Sequence, residues 1–483
     1  MFFIFYNYLL KNKWPFLFLI LITFILPLFY LLKNKELILV YDDSYITLTC
    51  ARNFFKFKGL TFDGKYYHEG TTSPLHIFLI AFFNLFFNNL PLTDILIGIF
   101  SFYLLVFLTY RYFSTIGNKK IGLLASWLTA TTGWLIFDAL SGLETILFID
   151  FLLLTLYFFE KKNVLFGIFL SLSIYTRPEG IFLGVALFFY LLFQKKKLKD
   201  FLPFLIALII LLPFFIVNYK NTKSFLPPSG MAKTIFFDEL KLPLKTKLEF
   251  FTDGLKLFYY NLIYPFSFLF FVLIPFAFPF YKRYYFFIFV FIFYLSYFIL
   301  FPGSISHYWC RYQHIFYPLV IGIMAFSINN LFKKTKLFYF LILLLIGNQA
   351  LSLFDGYQKY HASILSTKEV LIVLSEYFRT KTKKEAVIAT HDVGALKYFS
   401  EREILDLAGL TNPEIRNFYK NKRRYERNIK DYVIKNADYL VMFDFFKIFL
   451  NFSPQDDTNF IFLGKTKPVY GLNQSYEVYG ILK

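Results

Sequence analysis

The chain has 483 residues, of which 57% are apolar and 17% charged, against about 45–50% and about 25% in an average soluble domain. Its net charge of +19 would suggest a nucleic-acid partner in a soluble protein, but many of the basic residues lie between long apolar runs. This composition excludes an ordinary soluble protein and a nucleic-acid partner, and it predicts an all-α polytopic membrane protein.

Uncharged apolar runs that approach the about 17–25 residues of a spanning helix recur along the chain. In chain order they are Trp14–Leu32, Leu92–Tyr110, Ile121–Phe137, Thr145–Phe159, Asn163–Thr176, Ile181–Phe193, Phe201–Val217, Leu262–Tyr281, Tyr284–Phe301, Ile315–Leu331 and Leu337–Leu353. The first run is too long for a signal peptide and has no small-residue cleavage site, so we interpret it as an uncleaved span. We expect about 11–13 transmembrane helices.

Basic residues occupy every second loop between these runs, which marks those loops as cytoplasmic. They are Lys11, Lys13, Arg111, Lys119, Lys120, Lys161, Lys162, Lys195, Lys196, Lys197, Lys199, Lys282, Arg283, Lys333, Lys334 and Lys336. The alternation requires the short run Pro74–Phe87 to be a juxtamembrane or re-entrant helix. We therefore expect an integral inner (cytoplasmic) membrane protein with a cytoplasmic N-terminus and an outer-face loop at residues 33–90.

The apolar runs stop near Asp355, which predicts two domains. Residues 1–354 would form the transmembrane domain, and residues 355–483 a small soluble α/β domain on the outer, periplasmic or extracytoplasmic face. Within the second domain we expect a helix at Thr367–Phe378. The predicted strands are Ala386–Thr390, Ile404–Leu407 and Tyr439–Phe443.

With this topology, six polar clusters converge on the outer side, where a purely structural bundle has little reason to gather ionisable groups. They are Asp42–Tyr45, Glu69–His76, Ser141–Thr145, Thr176–Gly180, Leu226–Lys233 and His307–Tyr312. The convergence predicts a ligand cavity on that face.

The acidic pair Asp42–Asp43 precedes an amphipathic stretch, Ser44–Lys58. We expect one aspartate to cap this helix and the other to face the cavity as a general base or metal ligand, because adjacent helical residues point in different directions. The sequence does not decide between them. A divalent metal beside the pair stays open, although no His or Cys cluster supports one. A disulfide between Cys50 and Cys310 is a minor alternative.

Each of the other clusters also has a purely structural interpretation. Glu69–His76 by itself predicts a turn and a helix start, and Glu144 in a first helical turn complements the helix dipole. Arg177, between two short runs, either pairs with Glu179 or holds a phosphate. The hydrogen-bond donors on the outer face include Lys233, Arg311 and Tyr312. In the purely structural interpretation, any one of them anchors a lipid headgroup.

Taken in order, the motifs resemble a family. They are Asp42-Asp-Ser-Tyr-Ile46, Ala51-Arg-Asn53, Gly59-Leu60, Glu69-Gly-Thr-Thr-Ser-Pro-Leu75, Gly142-Leu-Glu-Thr145, Thr176-Arg-Pro-Glu-Gly180, Leu226–Lys233, Arg311-Tyr312, Asp392-Val-Gly-Ala-Leu396 and Asp406–Pro413. This set resembles bacterial GT-C glycosyltransferases similar to the terminal arabinofuranosyltransferases of mycobacterial cell walls. It is more distantly similar to protein O-mannosyltransferases and lipid A aminoarabinose transferases.

The resemblance implies a GT-C-like fold and an inverting transfer of sugar from a polyprenyl-phosphate donor to a hydroxyl of a cell-envelope glycan or lipid. It implies that Asp42 or Asp43 is the catalytic base. The substrate-binding residues that we expect are Glu69, His76, Glu144, Arg177, Glu179, Lys233, Arg311, Tyr312 and Asp392. Thr71, His76 and Leu226-Pro-Pro-Ser229 differ from the family's usual residues, so the resemblance implies the reaction class and not arabinose as the sugar.

Two rival functions share some of these features. A transporter or flippase of lipid-linked glycans would also need a cavity with cations, but its polar groups should lie at the membrane midplane between internal repeats. A glycan-binding scaffold would not need the acidic pair. No repeat is visible in the sequence and the clusters gather on one side, which favours the enzyme.

Overall fold

The computed structural model describes residues 14–483 except residues 35, 68–69, 71, 225–227, 237, 261–265, 267, 332–336, 423–427 and 472. Several predicted features lie outside the described residues. They are Glu69, Thr71, the N-terminal Lys11 and Lys13, and the loop residues Lys333, Lys334 and Lys336.

Helices dominate the first three quarters of the described chain. They are Trp14–Asn34, Asp42–Phe55, Pro74–Phe87, Leu90–Ile116, Lys119–Ala130, Gly133–Leu140, Thr145–Glu160, Leu165–Thr176, Gly180–Phe193, Leu202–Thr222, Pro228–Phe236, Leu244–Phe258, Phe268–Leu273, Phe278–Tyr281, Tyr285–Leu300, Tyr317–Leu331 and Leu337–Ser366. Large apolar side chains such as Phe100, Phe193 and Ile209 are exposed on their outer surfaces, which suits contact with lipid.

Four of the described helical segments are long and apolar enough to cross a membrane: Leu17–Asn34, Leu90–Ile116, Leu198–Thr222 and Ser304–Leu331. Further apolar helices of 10–17 residues include Pro74–Phe87, the helix that the loop charges required not to be a full span. The chain is an integral membrane protein. The count of about 11–13 spans and the orientation of the termini stay predictions.

The predicted span Ile121–Phe137 is not one continuous helix, because helices Lys119–Ala130 and Gly133–Leu140 meet at a bend of 59°. At the bend, the hydroxyls of Thr131 and Thr132 donate to the carbonyls of Trp127 and Leu128 at 2.8 and 2.6 Å. Such bonds back to the preceding turn bend helices. The Gly133 N–H then donates to Ser352 Oγ at 3.1 Å, which ties the second half to helix Leu337–Ser366.

The C-terminal part carries a five-stranded sheet in the order β2-β1-β3-β5-β4. The strands are β1 Val387–Thr390, β2 Glu403–Asp406, β3 Tyr439–Phe443, β4 Phe460–Lys465 and β5 Tyr476–Ile481. Strand β1 runs parallel to β2 and β3, whereas β5 is antiparallel to β3 and β4. The helices here are Val373–Lys381, Gly394–Ser400, Pro413–Lys420, Lys430–Asn436 and Lys447–Leu450.

The predicted boundary at residue 355 falls inside a helix. Helix Leu337–Ser366 continues through a π-helical segment, Thr367–Ile372, into helix Val373–Lys381. Continuous helical structure therefore joins the two parts of the chain.

Candidate active site

The helix that begins at the acidic pair, Asp42–Phe55, lies between the membrane helices and the C-terminal domain. On one side, the Tyr45 ring packs on Tyr398 and Phe399 of the C-terminal domain, with ring centroids 5.4 and 4.9 Å apart. On another side, Ser44 Oγ donates to the Ser141 carbonyl at 2.8 Å. The helix is shorter than the predicted Ser44–Lys58, and no side chain caps its start at Tyr41. The prediction that one aspartate caps this helix is therefore wrong.

The two aspartates point to different surroundings. The Asp42 carboxylate accepts the N–H of Gly394 and that of Ala395, each at 2.8 Å, at the start of helix Gly394–Ser400. The Asp43 carboxylate instead lines a cavity, where Arg311 Nη2 lies 3.4 Å from its Oδ2. Asp42 thus meets the N-terminus of a helix in another part of the fold, which favours a carboxylate, while Asp43 faces open space.

Opposing influences act on the pKa of the buried Asp42 carboxyl group. Burial and the neighbouring charge of Asp392 raise its pKa from 3.8 to about 8, against the two N–H donors, which favour the ionised form. Burial acts to raise the pKa of Asp392 as well, but His391 and the Tyr476 hydroxyl bring it below its ordinary value.

The cavity has a volume of about 340 Å³, at the lower end of the range for small-molecule sites of about 300–1,000 Å³. One wall is charged and the other is apolar. The charged wall is formed by Asp43, Glu144, Arg177, Glu179, Lys233 and Arg311 together with Tyr312. The apolar wall includes Ile181, Phe182, Leu300 and Phe301, from two neighbouring apolar helices and the residue after the second of them.

Three cations surround the Tyr312 ring. The guanidinium carbons of Arg177 and Arg311 lie 4.6 and 5.1 Å from the ring centroid, and Lys233 Nζ lies 5.5 Å from it. Lys233 also donates to the Tyr312 hydroxyl at 2.9 Å, as Arg311 does at 3.4 Å. The aromatic ring and its hydroxyl hold three like charges together, as cation–π attraction allows.

Some N–H groups of the Arg177 guanidinium are hydrogen-bonded to the protein, and others have no described partner. Its Nη2 donates to Glu179 Oε1 at 2.8 Å, and that oxygen also accepts the Tyr297 hydroxyl at 2.8 Å. Glu144 lies 3.6 Å from Arg177 Nη1, too far for a hydrogen bond. Within the described part of the chain, Arg177 Nη1 and Arg311 Nε and Nη1 have no hydrogen-bond partner although they are buried. Arg177 thus pairs with Glu179, as one sequence alternative predicted, and it keeps a buried N–H group without a described partner. That it holds a phosphate stays a prediction.

Two predicted substrate-binding residues do not line the cavity. His76 is buried against Asp94, with Nε2 2.9 Å from its Oδ1. Asp392 bonds the Tyr476 hydroxyl and lies beside Asp42 in the C-terminal domain. This placement does not support their direct contact with substrate, because neither residue is among those that line the cavity. Glu69 lies outside the described residues, although its neighbours Gly70 and Thr72 line the cavity.

The sequence missed two features of the site. Tyr297 orients Arg177 through Glu179, yet it stands inside an apolar run that gives no signal of a polar role. Tyr308, Trp309 and Cys310 adopt left-handed backbone angles, with φ of 47°, 57° and 64°, directly before Arg311. Each of these three consecutive residues costs about 1–2 kcal/mol of backbone strain. Their residue types do not favour this conformation, so the sequence could not predict it. Tyr308 is held by stacking on Tyr41 at 4.2 Å.

The described residues around the acidic pair do not fit a metal ion. Both Asp42 oxygens accept backbone N–H groups, and Asp43 faces the cation Arg311. Among residues with described positions, no group of three or more His, Cys, Asp and Glu side chains is arranged to hold a metal. Cys50 and Cys310 are both buried and are not joined by a disulfide.

Comparison with known proteins places this geometry in a class. Residues 71–219 match the sequence model of the family described as dolichyl-phosphate-mannose-protein mannosyltransferase. Residues 358–479 match a domain of unknown function, DUF8728. No curated protein matches the chain in sequence.

Solved structures share the fold over most of the chain. ArnT from Cupriavidus metallidurans, bound to undecaprenyl phosphate, is 10% identical with a TM-score of 0.59 over 97% of this chain and 98% of that one. The oligosaccharyltransferase of Archaeoglobus fulgidus, in complex with Zn and sulfate, is 13% identical with a TM-score of 0.56 over 88% and 68%. AglB from the same organism, with an inhibitory peptide and a dolichol-phosphate, is 13% identical with a TM-score of 0.54 over 90% and 70%.

These structures define the class as integral membrane proteins with the GT-C glycosyltransferase fold. The chain has this fold, as the resemblance of its ordered motifs implied.

Proposed function

We propose that the chain is an inverting glycosyltransferase that moves a sugar from a polyprenyl-phosphate donor to a hydroxyl of a cell-envelope glycan or lipid. The observation that carries the proposal is one cavity lined by the Asp43 carboxylate and three cations, two of which, Arg177 and Arg311, have buried N–H groups without a described partner. A base and an anion site held across one space are the two elements that such a displacement requires.

In the proposed reaction, the acceptor oxygen attacks the anomeric carbon while Asp43 takes the hydroxyl proton. The new bond joins the acceptor oxygen to the sugar, and the bond between the anomeric carbon and the phosphate oxygen breaks. The electron pair leaves with the polyprenyl phosphate, so negative charge grows there. Asp43 suits the role of base better than Asp42, because both Asp42 oxygens are already bonded to the protein.

Arg177, Lys233 and Arg311 are positioned to take up the growing charge of the leaving phosphate. Contacts with the ring and hydroxyl of Tyr312 hold these three cations in place, so little reorganisation is needed when charge develops. Two of their ion pairs are long, at 3.4 Å to Asp43 and 3.6 Å to Glu144. Weak pairs of this length leave N–H groups available to an anionic ligand.

The apolar wall supports a lipid-linked donor. Ile181 and Leu300 are 40% and 36% exposed, so the cavity adjoins the apolar outer surface of the helix bundle. The ArnT structure holds undecaprenyl phosphate and the AglB structure a dolichol-phosphate. The alternation of basic loops supports action on the outer face, with the N-terminus cytoplasmic and the C-terminal domain outside.

Purified protein supplied with a panel of polyprenyl-phosphate sugars and acceptor glycans tests the proposal. We expect consumption of donor, release of polyprenyl phosphate and a product with inverted anomeric configuration. Asp253→Asn, at an exposed i,i+3 pair with Lys256, is the matched control and should keep full activity. Movement of intact lipid-linked sugar across proteoliposomes without consumption would instead indicate a flippase.

A further inference from the structure

The acidic pair is divided between the cavity and the C-terminal domain in a way that the proposed function leaves unexplained. Asp42 is buried and bidentate to backbone N–H groups 352 and 353 residues further along the chain. It is not among the residues that line the cavity, yet the residue after it is the proposed base.

We propose that helix Gly394–Ser400 of the C-terminal domain is a positioning element of the active site, which fixes the direction of Asp43 by holding Asp42. The inference rests on the proposed function, because it presumes that Asp43 is the base. It assigns Asp42, Gly394 and Ala395 a role in the reaction without contact with substrate.

The contact between the two helices is closer than most side chains allow. A Cβ atom added at Gly394 would lie 2.0 Å from the Asp42 carbonyl oxygen and 3.0 Å from its Oδ2. Only glycine therefore permits the two N–H donors to reach the carboxylate. Tyr45, one turn further along, continues the same contact on Tyr398 and Phe399, and Arg52 lies 5.1 Å over the Tyr398 ring.

The geometry of a helix connects the Asp42 contact to the Asp43 position. Neighbouring residues are about 100° apart around the axis, so a helix held at Asp42 has a fixed rotation for Asp43. A carboxyl group about 5 Å from the axis moves by about 1 Å when the helix turns by about 10°. A displacement of about 1 Å costs up to about 10²-fold in rate when it affects a reacting group.

Other bonds hold the same segment. Ser44 Oγ donates to the Ser141 carbonyl at 2.8 Å, so the membrane helices also hold the start of this helix. Leu39 N–H donates to the Tyr45 hydroxyl at 3.1 Å, and Thr367 Oγ1 donates to the Val40 carbonyl at 2.9 Å. Both anchor the chain before the helix. Among the described side chains that contact the C-terminal domain, Asp42 is the nearest to Asp43 in sequence.

The test compares Gly394→Ala with Gly347→Ala. The Gly347 position has nothing within 4 Å of an added Cβ, so it controls for the exchange itself. Asp42→Asn is the second variant, since it keeps the side-chain size but leaves one N–H without an acceptor. We measure kcat, donor affinity and the number of donor molecules bound per protein, using the polyprenyl-phosphate sugar that the wild type consumes.

We expect Gly394→Ala to lower kcat by about 10- to 100-fold and Asp42→Asn by a smaller factor, with donor affinity and binding stoichiometry unchanged. Gly347→Ala should match the wild type. The inference would be overturned by a wild-type kcat in Asp42→Asn. It would also be overturned if bound donor were lost in proportion to the lost activity. If Gly394→Ala cannot be purified in folded form, Asp42→Asn alone decides. Full activity in Asp43→Asn would overturn the proposed function separately.

Discussion

Asp42 and Asp43 are neighbours in the chain, but they belong to two regions with opposite properties. Around Asp42, the contact between helices Asp42–Phe55 and Gly394–Ser400 is closed, and its polar atoms are bonded to protein. Around Asp43, the cavity is open, and buried N–H groups of Arg177 and Arg311 have no partner among the described residues. The first region is closed by hydrogen bonds within the protein, and we propose that the second binds a ligand.

The contrast shows which kind of polar group indicates function. A buried carboxylate whose hydrogen bonds are all made within the protein has a structural role that needs no ligand. A buried donor without a partner instead lowers the stability of the fold by about 1–3 kcal/mol unless a ligand accepts its hydrogen bond. Arg177 and Arg311 beside Tyr312 meet this criterion within a cavity, which supports the proposal that they bind the donor phosphate.

Removal of a cation from the cavity should have the largest effect on donor binding. We expect Arg177→Ala to weaken binding of a polyprenyl-phosphate sugar by about 10- to 100-fold, because a hydrogen bond to a charged group contributes about 1.5–3 kcal/mol. Isothermal titration in detergent measures it. Arg283→Ala, which breaks a pair with Glu160 outside the cavity lining, is the matched control. Equal losses in the two variants would contradict the assignment.

A smaller effect is expected from the Tyr312 hydroxyl. Tyr312→Phe keeps the ring that the cations face but removes the oxygen that accepts from Lys233 and Arg311. We expect donor affinity to fall by about 2- to 10-fold, the value of a hydrogen bond of about 0.5–1.5 kcal/mol. Tyr294→Phe, whose hydroxyl bonds Gln313, should leave donor affinity unchanged. An unchanged affinity in Tyr312→Phe would show that Lys233 needs no anchor.

The smallest effect concerns the dependence of stability on pH at the Asp42 contact. Because burial and Asp392 raise the Asp42 pKa from 3.8 to about 8, its contribution to stability is fully present below pH 3.8 and is lost as the pH rises through 8. The melting temperature of the wild type should therefore fall more between pH 6 and pH 9, on the order of a few degrees, than that of Asp42→Asn. Identical slopes would mean that Asp42 is ionised throughout this range.

Local patterns in the sequence predicted much of the fold. Strands β1 to β3 are short apolar runs between turn residues, and they were predicted within one or two residues of their ends. Strands β4 and β5 were missed, because Ile461, Phe462 and Leu463 in β4 are all exposed and show no alternation. The bend at Thr131 and Thr132 was missed because it depends on back-bonding hydroxyls and on packing against Ser352.

The sequence predicted which polar clusters form the site but not how their side chains are arranged in space. The sequence marked Arg177, Glu179, Lys233, Arg311 and Tyr312, all of which line the cavity. It could not separate Asp42 from Asp43, because the partner of Asp42 is a pair of backbone N–H groups more than 350 residues away. Hydrogen bonds of that kind carry no side-chain signature.

The most direct test of the account is single-turnover sugar transfer by Asp43→Asn and Asp42→Asn with bound donor. We predict that Asp43→Asn slows the transfer step by about 10²- to 10⁴-fold, the usual contribution of a general base, while it binds donor as tightly as the wild type. Asp42→Asn should retain substantially more activity. Near-normal transfer in Asp43→Asn, together with abolished transfer in folded Asp42→Asn, would contradict the central claim that the cavity-facing aspartate is the base.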